Sequence, residues 1–152
     1  MTEIAATQAQ RRAALARLFA LADWTLAREL TEPFAGTAHH VVRGPETGLV
    51  MLRGRMGSTG AAFNFGEATA TRCSVRLADK TEGHAYVLGR NGELARRMAL
   101  CDALLQQPEA DMAAFDKIAQ QMDEAIAARR SAQAAKVAAT KVDFFTVVRG
   151  DG

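Results

Sequence analysis

The sequence predicts an α+β fold: a small antiparallel sheet of about four strands covered by helices, with a long C-terminal helical arm. Three observations carry this. Helical periodicity dominates both ends of the chain, valine- and threonine-rich segments with two-residue alternation crowd its middle, and the links between those segments are too short for parallel crossovers.

The first 30 residues read as helix. Leu15, Leu18, Ala22, Leu26 and Leu30 recur at three- and four-residue steps and share one face. Asp23 is placed to cap a second short helix, and Pro33 and Gly36 end helical structure. Residues 39–43 form a short valine-rich strand, and residues 48–55 a second one after the Gly44-Pro45 turn signal. Residues 67–77 are the clearest strand: Thr69, Thr71, Cys73, Val75 and Leu77 fall on one side, Ala68, Ala70, Arg72, Ser74 and Arg76 on the other. Residues 79–83 make a polar turn and residues 84–89 a returning strand, completing a hairpin.

Asn91 caps the next helix, residues 92–107, whose apolar face is Leu94, Met98, Cys101 and Leu105. After Pro108 a helix runs from about residue 110 to residue 140, lined by Met112, Phe115, Ile118, Met122 and Ile126. At 1.5 Å per residue it is roughly 45 Å long, more than so small a body can cover, so it is expected to project or to lie on a partner. Met112, Phe115, Ile118 and Met122 are therefore the expected partner-binding stripe, leaving an isolated chain with exposed apolar surface. The final segment carries Phe144, Phe145 and three valines, each large side chain worth about 1.5–3 kcal/mol when buried, and is expected to dock.

At 152 residues the chain suits a single domain, residues 1–152, of which about 110–152 are the arm and the docked tail. A 49% apolar and 24% charged composition supports a packed core. The net charge of +2 is too balanced to imply nonspecific nucleic-acid or membrane binding, so any anion recognition must be local. Two cysteines make no disulfide framework and suit reduced thiols in a cytoplasmic protein. No signal peptide or membrane-spanning stretch is expected.

The loop Arg53-Gly54-Arg55-Met56-Gly57-Ser58-Thr59-Gly60 combines glycine amides, hydroxyls and guanidinium groups, the composition of an anion cradle. It lacks the lysine of a phosphate-binding P-loop, and the same glycines suit an ordinary strand connection. Arg55, Gly57, Ser58, Thr59, Gly60, Arg72 and Arg76 are the candidate anion contacts, on the expectation that Arg55 lies near the two strand arginines; solvated charge on an outer sheet face is the competing reading. His84, beside a turn, is the one candidate acid. No metal site is expected, because His39, His40, His84, Cys73 and Cys101 follow no ligand spacing, and both cysteines suit core positions.

Glu46-Thr47-Gly48-Leu49-Val50, Arg55-Met56-Gly57-Ser58-Thr59-Gly60, Gly66-Glu67-Ala68-Thr69, Thr71-Arg72, Val75-Arg76-Leu77, and Val142-Asp143-Phe144-Phe145-Thr146 with Val148-Arg149-Gly150-Asp151, taken in order, resemble the PhnG family of the bacterial carbon–phosphorus lyase system. The resemblance covers nearly the whole chain and departs at Ser58, where the family has glycine. It implies a cytoplasmic subunit that contacts PhnI directly, shares a core complex with PhnH and PhnJ, and works with the ATPase-like PhnK and PhnL. The implied reaction transfers methylphosphonate to ribose C1 of ATP, releasing adenine and giving α-D-ribose 1-methylphosphonate 5-triphosphate. ATP is then a co-substrate of the complex, no cofactor is bound by this chain alone, and no catalytic residue is implied within it. A purely structural role on PhnI is the alternative.

Overall fold

The structure is a computed structural model that describes residues 7–57 and 59–140. Helix α1 (Gln8–Leu21) begins with a reciprocal cap: Thr7 Oγ1 accepts from the Gln10 amide, and Gln10 Oε1 accepts from the Thr7 amide. Asp23 caps α2 (Trp24–Thr31) through the Thr25 amide, as its position predicts. A single tight turn, Glu32–Phe34, follows around Pro33.

Among the described residues the sheet has three strands in the order β1-β2-β3, all antiparallel: β1 (His39–Arg55), β2 (Ala62–Leu77) and β3 (Glu82–Leu88). The expected count of four falls to three because residues 39–43 and 48–55 are one strand. Irregularities between Val41 and Glu46 absorb the Gly44-Pro45 pair, which an edge strand tolerates because its outer amides need no partner. β3 pairs with β2 only between residues 70 and 76. Beyond Ala70, β1 and β2 continue alone as a two-stranded ribbon for about 23 Å, given roughly 3.3 Å per residue.

Asn91 caps α3 (Gly92–Leu104), as predicted, and Asp111 caps α4 (Met112–Ala139). α3 lies on β2 and β3, α1 and α2 pack beside it, and α4 lies across α1 and α2. Cys73, Val75 and Leu77 of β2 and Val87 of β3 meet Ala95, Ala99 and Cys101 of α3 in one core. Gly83 is required where β3 crosses α3. A Cβ there would stand 2.0 Å from the Ala99 carbonyl oxygen and 2.5 Å from the Ala103 nitrogen.

The apolar stripe of α4 needs a correction. Phe115, Ile118, Met122 and Ile126 are buried in the chain's own core, and Met112 is half-buried against it. Phe115 stacks on Phe34 with ring centroids 4.8 Å apart. The helix is held along α1 by a bidentate Arg11–Asp116 bridge at 2.7 Å and by Arg129 Nη2 donating to the Leu21 carbonyl at 2.6 Å. The expectation of a partner-binding stripe failed because α1 and α2 supply the groove that α4 fills. From Ala127 to Thr140 every residue is exposed, so only the second half of the helix projects. Phe144 and Phe145 lie outside the described residues.

Candidate functional site

The helices cover one face of the sheet and leave the other open. Cross-strand pairing fixes what that open face carries: Arg76 stands opposite His40 and Glu82, Ser74 opposite Arg43 and His84, and Arg72 opposite Glu46 and Tyr86. Farther along, Ala70 lies between Gly48 and Leu88, Ala68 faces Val50, and Gly66 faces Leu52. One half of the face is thus charged and the other apolar.

In the charged half the arginines are engaged by neighbours. Arg72 Nε and Nη2 reach Glu46 Oε2 at 3.0 and 2.9 Å; Arg76 Nε and Nη2 reach Glu82 Oε1 at 2.8 and 2.5 Å. These are exposed cross-strand pairs, worth about 0–1 kcal/mol each. His84 Nδ1 shares a 2.9 Å hydrogen bond with Ser74 Oγ, and its backbone amide donates to Asp102 Oδ2 at 3.0 Å. The ring is exposed and bound to a hydroxyl, an arrangement without the carboxylate that would orient an imidazole for acid–base work. Asp102 also binds Arg12 through Nε and Nη2 at 2.7 and 3.0 Å, which raises the Arg12 pKa and ties α1 to α3. A shallow concavity of about 260 Å³ opens beside Arg72, lined by Glu46, Thr47, Gly48, Leu49, Val50, Ala70 and Tyr86.

The glycine-rich segment is the tip of the ribbon, far from these arginines. Arg55 pairs with Ala62, whereas Arg72 pairs with Glu46, nine residues back along β1 (46 to 55), or roughly 30 Å. The expected meeting of Arg55 with Arg72 and Arg76 therefore does not occur, and the anion candidates divide between two places. Sequence spacing could not show this, because the register of a long hairpin decides which residues meet. At the tip, Gly57 has a φ of +69°, and a Cβ on Gly60 would stand 2.3 Å from the Met56 carbonyl oxygen. The turn itself needs both glycines. Thr59 is exposed there, and Ser58 lies outside the described residues.

The apolar half is the feature that sequence reasoning missed. Phe63, Phe65, Tyr86 and Leu88 are exposed there, with Met56 at the tip, and Leu49 and Met51 are exposed on the opposite face of the ribbon; Leu49 and Leu88 are open by about two-thirds (65% and 66%). The Phe63 and Phe65 rings contact edge to face at 6.4 Å, and Phe65 lies over Gly54, where a Cβ would be 3.0 Å from the ring. The available signal was Leu49-Val50-Met51-Leu52, whose large apolar residues at successive positions fall on both faces of a strand, together with Phe63 and Phe65 in the strand that follows.

Burial accounts for the cysteines. Cys73 and Cys101 are both inside, and desolvation raises the Cys73 thiol and pushes Cys101 up to about 12. Among the described residues, no three His, Cys, Asp or Glu side chains converge as a metal-binding group. Among those residues no helix is long and apolar enough to cross a membrane.

The family model described as "Phosphonate metabolism protein PhnG" matches residues 9–150. The chain belongs to the PhnG family. A relative from Rhizobium meliloti (strain 1021) is named alpha-D-ribose 1-methylphosphonate 5-triphosphate synthase subunit PhnG. It is 46% identical over 110 residues, covering 72% of this chain and 70% of the relative. A PhnG-family subunit of a multi-protein synthase accords with a described surface that has ion-paired arginines and a bare apolar ribbon and, among the described residues, no assembled acid–base site.

Proposed function

We propose that this protein is a non-autonomous subunit of a cytoplasmic synthase that transfers methylphosphonate to ribose C1 of ATP with release of adenine. The product is α-D-ribose 1-methylphosphonate 5-triphosphate. Its contribution is to assemble the enzyme, with PhnI as the direct partner, PhnH and PhnJ in the same core, and the ATPase-like PhnK and PhnL associated. The observation that carries this reading is the apolar ribbon. Phe63, Phe65, Tyr86 and Leu88 are exposed on the open face, and Leu49 and Met51 on the opposite face of the ribbon, an uncovered apolar surface with polar surroundings that suits a protein interface. Displacement at C1 develops positive charge at the sugar and requires protonation of adenine. Among the described residues no polar group is arranged for either function, and both are assigned to residues of other subunits.

A second reading is favoured by the concavity beside Arg72. There the guanidinium, released from Glu46, would pair with a phosphate or phosphonate oxygen as part of a shared substrate site. Two variants in the co-expressed complex test the readings. Leu88→Glu is expected to leave the circular dichroism of the chain unchanged and to abolish co-purification with the other subunits. Intact assembly and full ribosyl transfer in that variant would reject the interface. Arg72→Ala is expected to assemble and retain activity within a few-fold. A fall of orders of magnitude in an intact complex would shift the assignment to substrate contact.

A further inference from the structure

Two extensions leave the body at one end and enclose a gap. α3 starts where β3 stops and runs back over the sheet: Gly92 lies against Pro45, and Asp102 accepts from the His84 amide. α1 runs antiparallel to α3, since Gln8 binds the Leu105 carbonyl and Arg12 binds Asp102. α4 runs parallel to α1, since Asp116 binds Arg11 and Arg129 binds the Leu21 carbonyl. The projecting half of α4 and the two-stranded ribbon therefore point the same way. The layer between them, α1 with α2 and α3, stops at Leu21, Trp24 and Gly92. Beyond it a gap one helix thick, about 10 Å, separates two prongs each about 20 Å long.

Both walls of the gap carry the same chemistry. On the sheet, Cys73 and Val75 are buried on the helix-covered side, and that side continues along the ribbon through Leu49 and Met51, both exposed, to Arg53 and Arg55. On α4, the row Ile118, Met122 and Ile126 that packs on the body continues through Arg129 to Lys136 and Val137, the one large apolar side chain of the exposed half. Glu67, opposite Met51, is the one carboxylate on either wall. Among the described residues no ion pair engages Arg53, Arg55, Arg129 or Lys136, whereas Arg12, Arg72, Arg76 and Arg97 are each held by a carboxylate. The slot thus offers uncovered apolar side chains and uncompensated cations on both sides at the width of one helix. Charge complementarity then calls for an acidic occupant, and Leu49, Met51 and Val137 call for an apolar face on it.

We propose that the gap between the ribbon and the projecting half of α4 receives a helix of another subunit, apolar on one side and acidic on the other, about four turns long. This rests on the reading of the chain as an assembling subunit, and it adds a second contact on the face of the ribbon opposite Leu88.

Photo-crosslinking in the co-expressed complex tests it. p-Benzoylphenylalanine is placed at Met51 or at Val137, both exposed, and the purified complex is irradiated. Both positions are expected to label one segment of the same other subunit, within about 14 residues and with Asp or Glu along one helical face. Labelling of different subunits or separate segments, of a second copy, of this chain's own residues, or of nothing overturns the proposal. Charge reversal gives the second measurement. Arg53→Glu, Arg55→Glu and Lys136→Glu combined are expected to keep the circular dichroism of the chain and to weaken assembly at least tenfold. Unchanged assembly overturns the proposal equally. A parent chain that co-purifies with no other subunit refutes the assembly reading, and this inference with it, before any irradiation.

Discussion

Met122→Ala separates a helix that belongs to this fold from one that waits for a partner. The side chain is wholly buried (0% exposed) in the layer where α4 meets α1 and α2. Its removal forfeits the transfer free energy of a large apolar side chain, about 1.5–3 kcal/mol, and adds a cavity term, for a total of about 2–5 kcal/mol. Alanine returns only a few tenths of that through helix propensity. A net loss of about 3 kcal/mol in a chain of this length lowers the melting temperature by about 9 °C, at roughly 3 °C per kcal/mol. Urea unfolding of the full-length chain, followed by circular dichroism at 222 nm, is expected to show a reduced midpoint with an unchanged slope. Val137→Ala is the internal control. Val137 lies on the projecting half of the same helix and is 60% exposed, so its variant is expected within about 0.5 kcal/mol of the parent. If Met122→Ala is as mild as Val137→Ala, the packing of α4 on its own body is wrong and the helix is a docking arm throughout.

Two further outcomes follow from burial. Gly83→Ala is expected to destabilise by about 3 kcal/mol, because its Cβ would meet the Ala99 and Ala103 backbone at 2.0 and 2.5 Å; Gly48→Ala, with nothing within 4 Å, is expected to be mild in the same urea titration. The Cys101 thiol is held neutral by burial up to about 12 against an ordinary 9.0, so its contribution to stability is fully present below pH 9 and is lost as pH rises toward 12. At pH 10 the unfolded thiol has ionised and the folded one has not, a loss of about 1.4 kcal/mol relative to pH 8. The stability difference between the parent and Cys101→Ala is expected to shrink by that amount between pH 8 and pH 10, and a constant difference would contradict the burial argument.

Local physics made much of this fold legible. Asp23 and Asn91 are caps whose side chains can bond an amide two or three residues on, and both helices begin where those residues stand. The odd-numbered face of residues 71–77 is the buried one because alternation is set by the pleat and needs no tertiary information. Two features were not legible. The fusion of two expected strands into β1 depends on Pro45 lying at an edge, and edge position is a property of the assembled sheet. The fate of Phe115, Ile118 and Met122 depends on whether a groove exists to receive them; periodicity shows that a face is apolar without showing what covers it.

The candidate site was legible in its residue types and misread in its geometry. Arginine and glycine at 53–60 and arginine at 72 and 76 suggest an anion site only if the chain brings them together, and the antiparallel register places them roughly 30 Å apart. Glu46 and Glu82 are each a cross-strand neighbour of the arginine they bind, so sheet formation itself supplies the counter-ions. A substrate phosphate must displace a carboxylate already in place, whereas a protein partner covering Phe65, Tyr86 and Leu88 displaces only water. Burial of apolar surface proceeds there with no competing ligand, so partner binding is the event this surface favours first, and the release of Arg72 from Glu46 is a step that only a bound partner or substrate could drive.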